Sequence, residues 1–409
     1  MNTSQHNLSP IKKWISIIKD TYNIFLNEFK IVFKDRGVVI IFILASLVYP
    51  MLYCGLYKNE TLVDVPVAVV DCSHTQRSRE FIQHIDATAD VEGKYGTMEE
   101  AKKAFDERKV RGIIYIPKEL NEKLCSTQQA TISVYCDMSS FLYYRSMVLA
   151  TNYCALDLGK EVQIERLNAQ GINGESAAFS AQPIQFESNI LFNGGMGFAS
   201  FLMPAILILI IHQTLFFGIG MIAGTSREEN RFHVLVSSAL HRGGTIRVII
   251  GKTACYLFMY IAFSFYILEV IPHFFNLPHI GNPLDLAMFV LPFLLATIFF
   301  SMTVSVFLPN RETGMIIFLF FSLILLFLSG ISWPQSNING FWKTFSWIFP
   351  ATHGIQGYIK INSMGATIRQ ITFEYASLWI QTAVYFLTTT AAYYWQIKKS
   401  SSKNKEIEQ

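Results

Sequence analysis

The chain has 409 residues, of which 51% are hydrophobic and only 15% charged, with a net charge of +3 and a mean hydropathy of +0.33. A soluble domain carries roughly 25% charged residues, so much of this chain must face something other than water. The small net charge argues against a nucleic-acid partner, and six cysteines without a C-x-x-C pair exclude a zinc knuckle or a redox motif.

Residues 1–36 read as a cytoplasmic N-terminus. They are polar for over thirty residues, with no small-residue cleavage site after the first apolar run, so no cleavable signal is expected. Within them Trp14, Ile17, Ile18, Tyr22, Phe25, Phe29 and Phe33 recur at helical spacing, which predicts an amphipathic interfacial helix. Six apolar stretches follow, each long enough to span about 30 Å of hydrocarbon: 37–57, 198–223, 248–271, 285–308, 313–332 and 373–396. Lys and Arg are retained on the inner side of a membrane. Fifteen of them flank one set of span ends and three lie on the other, which puts both termini, the segment 224–247 and the tail 397–409 in the cytoplasm. The tail, KKSSSKNKEIEQ, is expected to be disordered.

The long segment 58–193 is then external. VPVAVV (65–70) reads as a buried strand with Asp71 at a turn. Thr97-Met-Glu-Glu100 is a capping box, and RGIIYIP (111–117) and ATISVYCD (130–137) read as two more strands. A helical stretch over about 139–169 follows, so a small α/β domain is expected. The aromatic, proline-interrupted stretch 332–350 opens the external segment 333–372 and predicts a re-entrant hairpin and loop. The fold class is an α-helical polytopic membrane protein with six transmembrane helices. A small α/β extracytoplasmic domain lies between helices 1 and 2.

Gly251-Lys252-Thr253 looks like the end of a phosphate-binding loop. That loop needs a glycine five positions before Gly251, and Ile246 stands there. An apolar span also follows, where a phosphate site would strand its charges. Lys252 is instead expected to snorkel to the inner headgroups. Inside the spans, His212 and Gln213 lie mid-span and read either as a helix–helix hydrogen bond or as part of a substrate path. Glu269 near the outer end of its span reads as interfacial. Cys72, Cys125, Cys136 and Cys154 fall outside, where disulfides can persist, and their pairing stays open. No metal site is expected.

The segment SREENRFHVLVSSALHRGGTIRVIIGK crowds Arg227, Glu228, Glu229, Asn230, Arg231 and His233 at a span end, ahead of Leu235 and the apolar VLVSSAL. It resembles the loop of ABC-2 type exporter membrane subunits, which usually reads like E-R-E-x-G-T-x-E-x-L-L-x-T-P and then G-K. Glu228, Leu235 and Gly251-Lys252 match, while Asn230 stands for the usual glycine and Ala239-Leu240 for threonine-proline. VPVAVVDCSHTQRSREFI, EEAKKAFDERKVRGIIYIPKEL, NILFNGGMGFASFLMP, LSGISWPQSNI and FPATHGIQGYIKINSMGAT resemble further pieces of the family in its order.

The resemblance implies a permease of the multidrug-efflux-like branch in a bacterial inner membrane, with lipid around it. The permease would be paired with a second copy or a similar subunit. It would have no ATPase site of its own, ATP and Mg residing on a partner ATPase dimer. Arg227, Glu228, Glu229, Asn230, Arg231, His233 and Leu235 would form the ATPase-coupling loop. The external domain leaves room for an envelope adaptor protein. A drug-like, peptide or amphiphilic cargo is expected, with lipid or polysaccharide export and a polytopic sensor as the rivals.

Overall fold

The computed structural model describes residues 10–184, 187–229 and 244–407. The chain divides into an α/β unit of residues 61–190 and a helical unit made of the flanking chain.

The α/β unit is built on a four-stranded sheet. Its strands are β1 (Val65–Asp71), β2 (Val91–Tyr95), β3 (Gly112–Ile116) and β4 (Ser133–Cys136), in the order β2-β1-β3-β4. β1 pairs parallel with β2 and β3, and β4 pairs antiparallel with β3. The continuous apolar run in β1 has the physical cause expected of a parallel strand, burial on both faces. Val65, Val67 and Val69 join the core with Phe81, Ile85 and Met147. Ala68 and Val70 join the opposite core with Ala101 and Ile113. Thr97 and Glu100 form the expected capping box.

A second box, Thr75 with Ser78, opens the helix Gln76–Asp86 where none was expected. Asp71 supports it, accepting from the Ser73 and His74 N–H groups at 2.9 and 3.1 Å and from the Ser78 hydroxyl at 2.7 Å. The described residues of this unit also form the helices Met98–Asp106, Leu120–Cys125, Phe141–Ala169 and Glu175–Ala181.

The helical unit starts with α1 (Pro10–Lys34). Among the described residues, four helices are long and apolar enough to cross a membrane: α2 (Arg36–Leu56), α3 (Phe198–Glu228), α4 (Gly244–Phe274) and α5 (Pro283–Ser305). Helices α6 (Arg311–Leu328) and α9 (Thr372–Ile407) stand where the fifth and sixth apolar stretches lie. Between them are α7 (Gly340–Ser346) and α8 (Pro350–Met364).

The 333–372 segment, where a re-entrant hairpin and loop is expected, holds two helices, and most of α8 is buried. Its small residues allow this, since a Cβ on Gly357 would come within 2.3 Å of the Phe289 ring, the close approach that small residues permit between apolar helices. The tail is helical through Ile407, and KKSSSKNKEI contains neither glycine nor proline to stop it. Helix α3 runs past position 223 to Glu228, so the 224–247 segment begins as helix.

Candidate functional site

The charged residues predicted at the end of α3 meet the ends of three other helices. Asn310 accepts from the Thr313 N–H and so starts α6, which sets the preceding loop against α3. Gly224 makes the approach possible, because a Cβ there would lie 2.8 Å from the Arg311 backbone. Arg311 then faces Asp35, the residue that caps α2 by accepting from the Gly37 and Val38 N–H groups. The guanidinium grips the carboxylate with two bonds of 2.8 and 2.9 Å, a bidentate geometry that fixes orientation as well as charge. It also donates to the Thr225 hydroxyl at 3.3 Å. Partial burial pushes the Asp35 carboxyl up, but the Arg311 hydrogen bond and charge, with the Val38 and Gly37 N–H groups, outweigh it and hold the group below the usual carboxylate range.

Arg227 and Glu228 belong to this knot. Arg227 donates to the Leu308 carbonyl at 2.6 Å and to the Val306 carbonyl, so it holds the turn that follows α5. Glu228 accepts from the Arg311 backbone N–H at 3.0 Å. These two residues are therefore tied within the chain, although Glu228, like Glu229, is exposed. Asn230, Arg231, His233 and Leu235 lie outside the described residues.

Helix α1 is joined to α4 by a second set of charges. A Cβ on Gly251 would lie 2.9 Å from the Thr21 carbonyl and 2.8 Å from Ile24, so the glycine lets the two helices touch. Lys252 follows. It is 7% exposed and donates to Glu28 at 2.7 Å, and the Tyr256 hydroxyl donates to the other Glu28 oxygen. Arg247 pairs with Asp20 at 3.1 Å. This corrects the snorkelling expectation for Lys252, because a buried ammonium needs a counter-charge and Glu28, 2% exposed, provides it.

The stretch expected to form an amphipathic helix is helical as α1 and also packs against α4. The face packed on α4 runs through Ile24, Glu28 and Val32, while Ile18, Tyr22 and Phe33 of the predicted stripe are exposed. A charge inside the packed face hid that face from a hydrophobic pattern.

His212 is buried, and neither ring nitrogen has a hydrogen-bond partner among the described residues. Its ring lies 6.0 Å from Phe300 and stacks on Phe216 at 6.4 Å. The helix–helix hydrogen bond expected for it is thus absent, and Gln213 beside it is half-buried. Glu269, read as interfacial, lies 3.0 Å from His279 Nε2. All six cysteines are free. Among the described residues no three His, Cys, Asp or Glu gather as metal ligands do.

Sequence reasoning counted Arg311 only as one of the positive charges and passed over Asp35 and Glu28. An acid at the i+4 position between Ile24 and Val32 was the available signal for Glu28, and an Asp immediately before a span was the signal for Asp35.

Each described acid of the two sets is held by a cation or an N–H group. Arg227 and Glu228 thereby tie the end of α3 to the segment after α5 and to the start of α6, where Arg311 holds Asp35 at the start of α2. No curated protein matches the chain. A family model described as ABC-2 family transporter protein matches residues 36–391. The chain accordingly belongs to the ABC-2 transporter family, as a multi-pass membrane permease of an ABC transporter.

Proposed function

We propose that this permease forms the translocation path of an ABC exporter with six spans, carrying a drug-like, peptide or amphiphilic cargo. A separate ATPase dimer, holding ATP and Mg, drives it from the cytoplasmic side of a bacterial inner membrane. A second permease completes the path, and the α/β unit lies outside, where it offers a face to an adaptor protein. The observation that carries the reading is the knot of Arg227, Glu228, Arg311 and Asp35 at the root of the 230–243 segment. A loop that couples to a partner needs such a root, since a ligand-driven change must be felt as differential contacts in the two states.

The test is co-purification followed by transport. The full chain should bring down a roughly equimolar soluble ATPase whose activity rises with cargo. The pair Glu228→Ala and Glu229→Ala should abolish that rise while the protein still inserts. A chain that purifies alone, or a double variant with normal coupling, overturns the reading.

A further inference from the structure

We propose that the α/β unit carries a binding groove for the aliphatic chain of an amphiphile. The groove lies between the helix Leu120–Cys125, the segment entering β4, and the long helix Phe141–Ala169. Its cavity is about 430 Å³, within the range of small-molecule sites. Leu124, Ile132, Val134, Val148, Ala155 and Leu158 line it, and no charged or aromatic side chain does. Such walls offer a cation or an anion nothing to pair with and give a planar ring no partner to stack on. A flexible saturated chain fits them.

Two residues of the long helix point to an occupant. Thr151 lines the groove and is 5% exposed, yet its hydroxyl has no partner. A threonine inside a helix ordinarily returns its hydroxyl to the carbonyl four residues back, as Thr214, Thr382 and Thr390 do here. Thr151 leaves that bond unmade. Helical threonine divides between two χ1 rotamers, so its hydroxyl can turn to meet a polar atom of a bound molecule. Gly159 is the second. It sits well inside a 29-residue helix, where glycine is unfavourable, and a Cβ there would meet nothing within 4 Å. The fold does not need the missing Cβ, whereas a chain lying in the groove does. Asn152, exposed, also lines the groove and supplies an amide for a polar head.

The experiment uses the full chain in lipid nanodiscs with a palmitic acid analogue carrying a photoreactive diazirine on its chain. Adducts should map to residues 148–159 and be chased by unlabelled palmitic acid. Gly159→Leu should lower them by about tenfold or more, because it overfills the site. Thr151→Val, of the same shape, should lower them about fivefold, the worth of one neutral hydrogen bond. Labelling of α2 to α5 should stay unchanged in both variants, showing that they insert and fold. A diazirine phosphatidylcholine built into the disc separates the sources. Label from it as well as from the free acid makes the occupant a bilayer lipid, and label from the free acid alone makes it an amphiphile arriving from water.

Adducts no more frequent at 148–159 than at the exposed β2 residues, or indifferent to both variants, overturn the proposal. So does a Gly159→Cys chain that cross-links to a second copy without any lipid label. The groove and the transport reading fail separately, the one by missing adducts and the other by a missing ATPase.

Discussion

Lys252 and His212 are both ionisable, both buried in apolar helices of one unit, and held in opposite ways. Lys252 has Glu28 at 2.7 Å, and Tyr256 completes the carboxylate. His212 has aromatic rings around it and no hydrogen bond at either nitrogen among the described residues. A lysine ammonium in such a place must bring its counter-charge with it, because an uncompensated buried ion is among the costliest defects a fold can hold. An imidazole can stay uncharged and pack as a ring. The first arrangement binds two helices at a fixed register. The second fills space, and it leaves a polar edge inside the bundle.

Breaking the Lys252 side of this contrast has the largest expected effect. Glu28→Ala strands the ammonium and should cost about 3–5 kcal/mol, read as a lowered thermal midpoint of the detergent-solubilised chain. Adding Lys252→Met should restore much of it. A double variant no more stable than Glu28→Ala would mean that the pair does not fix the helix. Arg311→Ala removes two charged hydrogen bonds from Asp35 and should cost about 2–3 kcal/mol. If the knot transmits the partner's stroke, this variant should also lose cargo-stimulated ATPase activity more steeply than it loses stability.

Asp35 offers a subtler probe. Its folded carboxyl sits below its unfolded value, so its contribution is fully present above the ordinary aspartate pKa, about 3.9, and is lost as pH falls through the lower folded value. Wild type and Asp35→Asn should therefore differ by a constant amount at neutral pH, and the gap should close in acid. A gap that opens in acid would reverse the assignment. The smallest effect is expected from His212→Phe, a near-isosteric change in an aromatic slot that should shift stability by less than about 1.5 kcal/mol. Unchanged export in that variant would leave His212 a packing residue, whereas lost export would restore it to the substrate path.

Much of the α/β unit was legible because its signals are local. The apolar run of β1, the Thr97 box and the third and fourth strands each lie within a few residues. β2 was missed because VEGKY buries only Val91 and exposes most of the rest, so no pattern marks it. The inner charges were legible as a cluster, with Arg227 and Glu228 in it, but their use was not. Arg227 holds a turn some eighty residues away and Glu228 meets Arg311, and no spacing along the chain encodes those meetings.

The sequence by itself determined that this chain must live in a membrane, since so few charges and so many long apolar runs leave water no surface to hold. It also argued against a nucleotide site at Gly251-Lys252-Thr253, because the first glycine of the loop motif is missing. Only the tertiary structure decided what those residues do. Gly251 lies where α1 crosses α4, and Lys252 meets a carboxylate more than two hundred residues earlier. The energy of a buried charge depends on what stands within a few ångströms, and packing alone decides which distant residue that is.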